Sequence, residues 1–529
     1  MVSCVSMLSF GTIHIKARIS QLSVSSRAGF LEPEEEAEKD LKGQSVTVDV
    51  GLSVMRFRMV LGLGVSGRAA VKLALARGAN VVAIDQNKHI PELQEDPLFS
   101  SSNNERLRLE LGVFDKDHVR KADKIIVSPG IFLERYELRE LIQMGYPVFS
   151  ELDFASENLP RATKIIAVTG TNGKSTVTSF TAQMLSHAGI PCFMGGNIGV
   201  PLSYAGLAFM ESGRRDPPFQ AVVVEVSSYQ MEINPRTFKP SVAVVLNLTP
   251  DHLERHKTLE NYGLCKCRLF SHMSPSQLAV IPAGDSFLQG LVIQSGGEGT
   301  IGWLGSLPGV QFNGAGSAAQ IFVPTTSFEA HLDLTTLKTT GVHNAQNAGT
   351  AALLAFGADL GLDESVVQAG LPKLKSLPHR MQVVWRDDKN VLWINDSKAT
   401  NVHATYTGLK GLTNQKSVVL LGGLAKVLDE NGNIGFGKLV DVLCSHRAVV
   451  SFGAFGGKIK KDLETNGLAI PCFQTTSLVE AVEVAKTIAQ PGDAILLSPA
   501  CASFDGFSNF EQRGQFFVAL ARGEDSSLK

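Results

Sequence analysis

Residues Lys164–Thr176 read KIIAVTGTNGKST, and a helical run, VTSFTAQMLSHAG, follows at once. Ile165, Ile166, Ala167 and Val168 form the short apolar run of a strand buried on both faces. The turn Gly170-Thr171-Asn172-Gly173-Lys174-Ser175-Thr176 then supplies what a phosphate needs. It has amide N–H groups at a helix start, a lysine for the β and γ oxygens, and a Ser175 hydroxyl able to reach Mg²⁺. The full nucleotide-binding spacing would place a glycine at 168, where this chain has Val168. The turn is therefore a shortened phosphate loop, and it predicts a strand–turn–helix nucleotide site.

The same pattern recurs on both sides. Upstream, FRMVLGLGVSGRAAVKLALARGANVVAIDQN (Phe57–Asn87) reads strand, glycine-rich turn, helix, glycine, strand, and KIIVSPG and YPVFSELDF add short strands. Gly62-Leu63-Gly64-Val65-Ser66-Gly67 matches GxGxxG, and Asp85 stands where a ribose-binding acid would follow. Taken alone, this suits NAD, another diphosphate nucleotide, or a tight turn with no ligand. Downstream, QAVVVEVSSYQ and PSVAVVLNLTPDH are apolar strands with polar ends. Their Glu225, Asp251 and His252 are candidate Mg²⁺ ligands, since that ion takes a few carboxylates and shares substrate phosphates. His252 is open to a structural hydrogen-bonding role as well.

The glycine-rich stretch 283–326 is expected to hold short strands and loops, and GVHNAQNAGTAALLAFGADLG a helix after a polar start. From Pro378 a third set of β runs follows: NVLWINDSKATN, KSVVLLGGLAK, HRAVVSFGAFG and DAILLSPACASFDGF. The alternation predicts an α/β protein of three domains. These are a Rossmann-like domain at 55–160, a central P-loop domain with a mostly parallel sheet at 161–377, and a Rossmann-like domain at 378–529.

Composition agrees. The chain has 529 residues, a formal net charge of -2 and 44% hydrophobic residues, enough for roughly three domains at about 150 residues each. Near-neutral charge gives no electrostatic footprint for nucleic acid or a membrane surface, and no apolar run reaches the roughly 18 residues of a membrane span. Seven scattered cysteines without a CxxC pair argue for a reducing compartment and against a disulfide framework or zinc site. The first 54 residues differ. They are Ser-rich, carry Lys16, Arg18 and Arg27, and have no acid before Glu32. That pattern resembles an organelle transit peptide followed by a solvated acidic linker, EPEEEAEKD. It leads us to expect a plastid (stromal) address, or the cytoplasm if the segment is a disordered tail.

TGTNGKST, GGNIG (Gly195–Gly199), VEVSSYQ, TPDH, HNAQN, LPHR, NDSKATN and SPACASFDGFSNFEQRG occur in one order along residues 55–522. Together they resemble the Mur ligase family, and NDSKATN and SPACAS resemble its D-glutamate-adding branch. The resemblance implies a UDP-substrate domain, a central ATPase and an amino-acid domain. It implies ATP and two Mg²⁺ ions as cofactors, with UDP-N-acetylmuramoyl-L-alanine and D-glutamate as substrates. A monomer is expected.

The resemblance also distributes roles. Gly64, Val65, Ser66 and Gly67 would approach the uridine diphosphate, with Asp85, Ser128 and Gly130 in the same cleft and Asn197 facing the sugar-nucleotide. Gln86 and Asn87 depart from the Thr and Arg that bacterial relatives often carry there. Gly170, Thr171, Asn172, Gly173, Lys174, Ser175 and Thr176 would hold ATP phosphates, joined by Asn344, Asn347, Arg380 and Asp396. Lys266, in NYGLCKCRLF, matches the position of a carbamylated lysine. CO₂ would convert its amine into an anionic ligand, so that Lys266 and His252 hold one Mg²⁺ while Ser175 and Glu225 hold the other. Without the resemblance Lys266 reads as a solvated helix lysine, and Cys265 and Cys267 as small buried hydrophobes. Lys174, His252, Lys266 and Lys398 would carry catalysis. Thr400, Lys426, Ser503, Phe504 and Phe510 would form the D-glutamate pocket, with Ser503 at a helix start. Lys426 lies in a loop longer than its bacterial counterpart. Two rivals remain: a ligase of the same superfamily acting on another acid, such as a folylpolyglutamate former, and a nucleotide-binding scaffold without turnover.

Overall fold

A computed structural model describes residues 56–524, apart from 101–103, 115, 214–216, 315, 340, 413–414 and 426–434. The transit-peptide reading of residues 1–54 and the pocket role of Lys426 lie outside the described residues.

Three sheets follow one another along the chain. The first contains β1 (Phe57–Leu61), β2 (Asn80–Asp85), β3 (Leu107–Leu111), β4 (Lys124–Val127) and β5 (Val148–Ser150), all parallel in the order β3-β2-β1-β4-β5. The helix Val65–Ala76 crosses over from β1 to β2 and buries Ala69, Ala70, Val71 and Leu73.

The central sheet is larger. Its strands are β6 (Lys164–Thr169), β7 (Cys192–Gly196), β8 (Ala221–Glu225), β9 (Val242–Val245), β10 (Leu278–Pro282), β11 (Thr300–Leu304), β12 (Gly309–Phe312), β13 (Ala318–Val323) and β14 (Phe328–Asp333). Their order is β14-β13-β12-β11-β10-β9-β6-β8-β7. Strands β6 to β12 run parallel, and β13 and β14 extend the edge as an antiparallel meander. Alternation along β6 supplies both faces. Ile166 and Val168 pack with Val177 and Phe180 of the helix Lys174–His187 and with the helix Val342–Gly357. Ile165 and Ala167 join Leu202, Ala205 and Cys267 on the other face. Phe180 is fully buried, so truncating it would cost about 3–5 kcal/mol. The stretch expected to hold short strands and loops is where β11 to β13 lie.

The third sheet contains β15 (Gln382–Arg386), β16 (Leu392–Asn395), β17 (Ser417–Gly422), β18 (Ala448–Phe452), β19 (Cys472–Gln474) and β20 (Ala494–Leu497), in the order β15-β16-β20-β17-β18-β19. Only β15 is antiparallel to its neighbour. Side-chain caps start the helices that flank the site. Thr258 accepts from the amide of Asn261, Asn401 from Ala404 and Asn509 from Gln512, satisfying donors that have no partner inside a helix.

Two buried carboxyls on the helix Glu151–Ser156 tie the first sheet to the central one. Asp153 accepts from the amides of Arg236 (2.9 Å), Thr237 (2.7 Å) and Phe238 (2.8 Å). Glu151 accepts from Ser203 through both its amide (2.7 Å) and its hydroxyl (2.6 Å). Among the described residues no helix is long and apolar enough to cross a membrane, and six cysteines are free.

Candidate functional site

The phosphate turn lies between β6 and the helix Lys174–His187, at the carboxyl ends of the central strands, where open α/β sheets place ligands. Gly170 (φ 145°) and Gly173 (φ 85°) adopt left-handed backbone, which side chains rarely tolerate. Asn247, just beyond β9, clamps the turn. Its Oδ1 accepts from the amides of Thr171 (3.1 Å) and Asn172 (2.9 Å), and its Nδ2 donates to the Asn172 carbonyl (3.1 Å). Sequence reading passed over Asn247, although it lies in the same polar strand end as Asp251.

Basic side chains converge on this turn. Lys174 Nζ donates to the carbonyls of Gly170 and Thr171, both at 2.9 Å. Lys266 Nζ, from the helix Leu259–Cys267, reaches the same Gly170 carbonyl at 2.8 Å. Lys266 is only 1% exposed, so the solvated-lysine reading is corrected. Its helix turns that face into the central domain, beside Tyr262, whose ring centroid is 4.3 Å from Nζ. Burial, reinforced by the charge of Lys174, holds Lys266 well below the usual lysine pKa. That favours the neutral amine, the form able to add CO₂. Cys265 and Cys267 are buried with raised pKa values, again through burial.

From the third domain, Arg380 Nη2 donates to the Ser175 hydroxyl at 2.7 Å. Arg380 stands between two non-glycine residues of positive φ, His379 (63°) and Met381 (44°). Glu225 ends β8 beside this group. Its Oε1 accepts from Asn197 Nδ2 at 2.7 Å, so Asn197 faces the carboxylate, and its buried Oε2 has no hydrogen-bond partner among the described residues. Burial raises the Glu225 pKa, but Lys174, Lys398, the Ser175 hydroxyl and Arg380 outweigh it and the net shift is downward. Among the described residues no three His, Cys, Asp or Glu side chains cluster as a metal cage. The donor set still fits Mg²⁺, which needs a carboxylate oxygen and a hydroxyl while phosphates and water complete its shell. The orphaned Glu225 oxygen is the group such an ion would satisfy.

His252 follows β9. Its Nδ1 lies 2.8 Å from the Tyr229 hydroxyl, and its Nε2 lies 3.8 Å from Asp251 Oδ2. Burial raises the Tyr229 pKa above the usual phenol value. His252 and Lys266 both border Tyr262 (ring centroids 6.4 Å apart for His252). Asn347 Oδ1 abuts Gly173, 3.2 Å from where a β-carbon would stand, and Asn344 is buried on the same helix. Thr176 is buried in the first turn of the phosphate-loop helix.

The polar loop Asn395–Asn401 is largely buried, because its side chains hold the third domain together. Asn395 Nδ2 donates to the Gly514 carbonyl (3.0 Å), and Arg513 donates to Ser397 Oγ (2.9 Å), to the Ser397 carbonyl (2.7 Å) and to the Cys501 carbonyl (3.1 Å). Asp396 accepts from Ser498 Oγ (2.7 Å) and the Met381 amide (3.2 Å), and burial raises its pKa to about 7. In this structure Asp396 braces the Arg380 segment. Lys398 Nζ lies 4.6 Å over the Phe510 ring, and burial, with Arg380 nearby, lowers its pKa to about 8. Besides Arg380 to Ser175, two more contacts among the described residues cross to the central domain: Asn401 Nδ2 to Asp251 Oδ2 (3.4 Å) and Asn172 Nδ2 with His403 Nδ1 (2.8 Å).

Thr400 is half-buried, Ser503 buried and Phe504 70% exposed. Ser503 is not at a helix start. It sits in a turn whose amides of Gly506 and Phe507 donate to its carbonyl, and the next helix starts at Phe510 behind the Asn509 cap.

In the first domain Asp85 Oδ2 accepts from the Leu63 amide at 2.7 Å and Oδ1 from the Asn87 amide at 2.8 Å. Ser128 Oγ donates to the Gly62 carbonyl at 2.7 Å. A β-carbon at Gly67 would stand 1.7 Å from that carbonyl oxygen, whereas Gly64 and Gly130 face open space. Gly64 precedes a helix with no side-chain cap, and Val65 and Ser66 form its accessible first turn. Gln86 pairs with Arg135.

Three family models match: a MurD-like Mur ligase N-terminal domain at residues 56–150, the Mur ligase middle domain at 168–355, and the Mur ligase glutamate ligase domain at 379–501. A UDP-N-acetylmuramoylalanine--D-glutamate ligase of Desulfosudis oleivorans is 36% identical over 464 residues, covering 87% of this chain and 94% of the relative. One from Anaeromyxobacter dehalogenans is 34% identical over 494 residues, covering 92% and 99%. Among solved structures, a UDP-N-acetylmuramate-alanine ligase from Thermotoga maritima aligns with a TM-score of 0.52 at 18% identity, covering 89% of this chain and 99% of that one. A MurF ligase from the same organism, in complex with ADP, gives 0.52 at 20% identity, covering 84% and 93%. These structural likenesses concern the fold.

Proposed function

The chain belongs to the Mur ligase family, and from that premise we propose that it is the ATP-dependent ligase that joins D-glutamate to UDP-N-acetylmuramoyl-L-alanine in peptidoglycan synthesis. The observation that carries this reading is the convergence on one glycine turn of Lys174, Lys266 from a neighbouring helix and Arg380 from the third domain, beside the unsatisfied Glu225 oxygen. Such a site is built to neutralise charge on a transferring phosphoryl group, where positioning and electrostatics do most of the work.

The substrate carboxylate attacks the γ-phosphorus of ATP. Lys174 turns from the Gly170 and Thr171 carbonyls to the phosphate oxygens, and Arg380 does the same from Ser175. An acyl phosphate forms and ADP leaves. The amine of D-glutamate then displaces phosphate to give the amide bond. Bound Mg²⁺ supplies positive charge to the phosphates; Ser175 and Glu225 would hold one ion, His252 and carbamylated Lys266 a second. The Gly64–Gly67 helix start, with Asp85, Ser128 and Gly130 about it, would take the uridine diphosphate. Lys398 would pair with acidic substrate groups, and Thr400, Ser503 and the Phe510 ring would form the D-glutamate pocket. Asn344 and Asn347 would contact the nucleotide, and Asp396 would act there through Arg380.

The test mixes the protein with ATP, Mg²⁺, UDP-N-acetylmuramoyl-L-alanine and one amino acid at a time, and follows phosphate release. Release with D-glutamate well above L-glutamate and D-aspartate is expected. Equal release, or none with any amino acid, overturns the reading. The Ser-rich stretch before Glu32, with Lys16, Arg18 and Arg27 and no acid, supports an organelle address, and a fluorescent fusion of residues 1–54 appearing in plastids is the expected result.

A further inference from the structure

Tyr229 opens the short turn after β8 and touches His252 in two ways. Its hydroxyl oxygen lies 2.8 Å from Nδ1, and the two rings meet edge-on with centroids 5.0 Å apart. Glu254 completes a triangle: its Oε1 is 3.5 Å from the phenol oxygen and 3.4 Å from the same Nδ1. On the far side of the imidazole, Nε2 faces Asp251 Oδ2 at 3.8 Å. The phenol ring is itself held. The Arg255 guanidinium lies 4.3 Å from it and 4.4 Å from the ring of Phe132, and donates to the Ile131 carbonyl at 2.9 Å and to Glu232. The ring direction of Tyr229 is thus fixed from the loop that follows Ser128.

A neutral imidazole has one N–H and one lone pair, and its neighbours decide which nitrogen carries which. If the phenol gives its hydrogen to Nδ1, that nitrogen becomes an acceptor facing the Glu254 carboxylate. If Nδ1–H donates to the phenol oxygen instead, the phenol hydrogen is free for Glu254, and every group in the triangle is matched. The second arrangement leaves Nε2 with a lone pair on the Asp251 side, where a cation resolves the facing acceptors.

We propose that Tyr229 is a positioning residue: with Glu254 it holds His252 as the Nδ1–H tautomer, so that Nε2 presents its lone pair to a divalent cation. The proposal rests on His252 being a metal ligand in the reading above. Groups of this kind typically change metal affinity about 10–100-fold when removed.

The test uses full-length, metal-free protein labelled with ¹⁵N-histidine, with the His252 signal assigned by its loss in His252→Gln. Wild type should show Nδ1 protonated and Nε2 bare, and Tyr229→Phe should lose that preference while melting normally. Mn²⁺ is then titrated in bicarbonate buffer. Broadening of the His252 signal should need about 10–100-fold more Mn²⁺ in Tyr229→Phe. Glu254→Ala, which frees the phenol hydrogen for Nδ1, should move the tautomer the same way and serves if Tyr229→Phe fails to fold. An Nε2–H tautomer in wild type, or an unchanged tautomer and Mn²⁺ midpoint in the variants, overturns the proposal. If the tautomer is as stated but Mn²⁺ never broadens His252 in wild type, it is the metal-ligand reading that fails.

Discussion

The molecule builds two strand–glycine–helix turns, one at Gly62–Gly67 and one at Gly170–Gly173, and gives them opposite surroundings. At the first, an acid and a hydroxyl, Asp85 and Ser128, tie down the backbone, and the helix start is left open. At the second, Lys174 and Arg380 bring charge and Lys266 a buried amine, all pointing at carbonyls and a hydroxyl of the turn. A glycine turn fixes where an anion can sit, because amide N–H groups converge there. What the neighbouring elements deliver decides whether that anion is merely held or is also transferred.

This contrast can be broken, and the largest effect is expected at the cationic turn. Lys174→Ala should lower phosphate release by about 10²–10³-fold or more, with UDP-substrate binding by calorimetry unchanged. Equal loss of both would mean that the two turns do not work separately. Gly67→Ala should act the other way. Its β-carbon collides with the Gly62 carbonyl, so about 3 kcal/mol or more of first-domain stability should go. Uridine nucleotide binding should be lost while ADP still binds, and Gly64→Ala, which faces open space, should fold normally.

A smaller effect sharpens the electrostatic half of the comparison. Burial lowers Lys398 to about 8, so between about pH 8 and the free-lysine value near 10.4 the unfolded chain holds the extra proton. Stability should therefore rise with pH across that window, and Lys398→Met should remove that part of the rise in a denaturant series. The smallest effect concerns how the two turns are joined. Burial raises Glu151 to about 7. A carboxyl raised in the folded state contributes stability that is complete below its unfolded pKa and lost as pH climbs to about 7. Glu151→Gln keeps an acceptor for Ser203 and cannot ionise. It should melt a few degrees higher than wild type at pH 8, about 2–4 °C, with no gain at pH 4.

Much of this contrast was legible beforehand. KIIAVTGTNGKST announces a buried strand and a phosphate turn through a short apolar run and two glycines, and FRMVLGLGVSG does the same for the first domain. The β13–β14 meander was less legible, since AAQIFV lies inside, and FEAHLD just beyond, a glycine-rich stretch whose turns dominate the reading. Lys266 was misread without the family resemblance because a lysine in a short helix carries no local sign of burial; only the packing of that helix under the phosphate turn reveals it. Asp396 and Arg513 tell the same story. Their partners, Ser498 and Ser397, lie about a hundred residues away in sequence, 102 and 116 positions, and spacing says nothing of such pairs. Tyr229 and Arg255 escaped notice because neither residue type advertises chemistry until its neighbours are known.

The left-handed backbones on either side of Arg380 have a mechanical consequence. Each costs of order 1–3 kcal/mol, and both are held by partners in the third domain: the Lys398 amide donates to the His379 carbonyl and Asp396 accepts from the Met381 amide. The strain is thus held in place by the third domain's own backbone and side chains, directly behind the residue that reaches the phosphate turn. Because both holding partners belong to the same domain as Arg380, the guanidinium reaches Ser175 from a seat fixed within that domain.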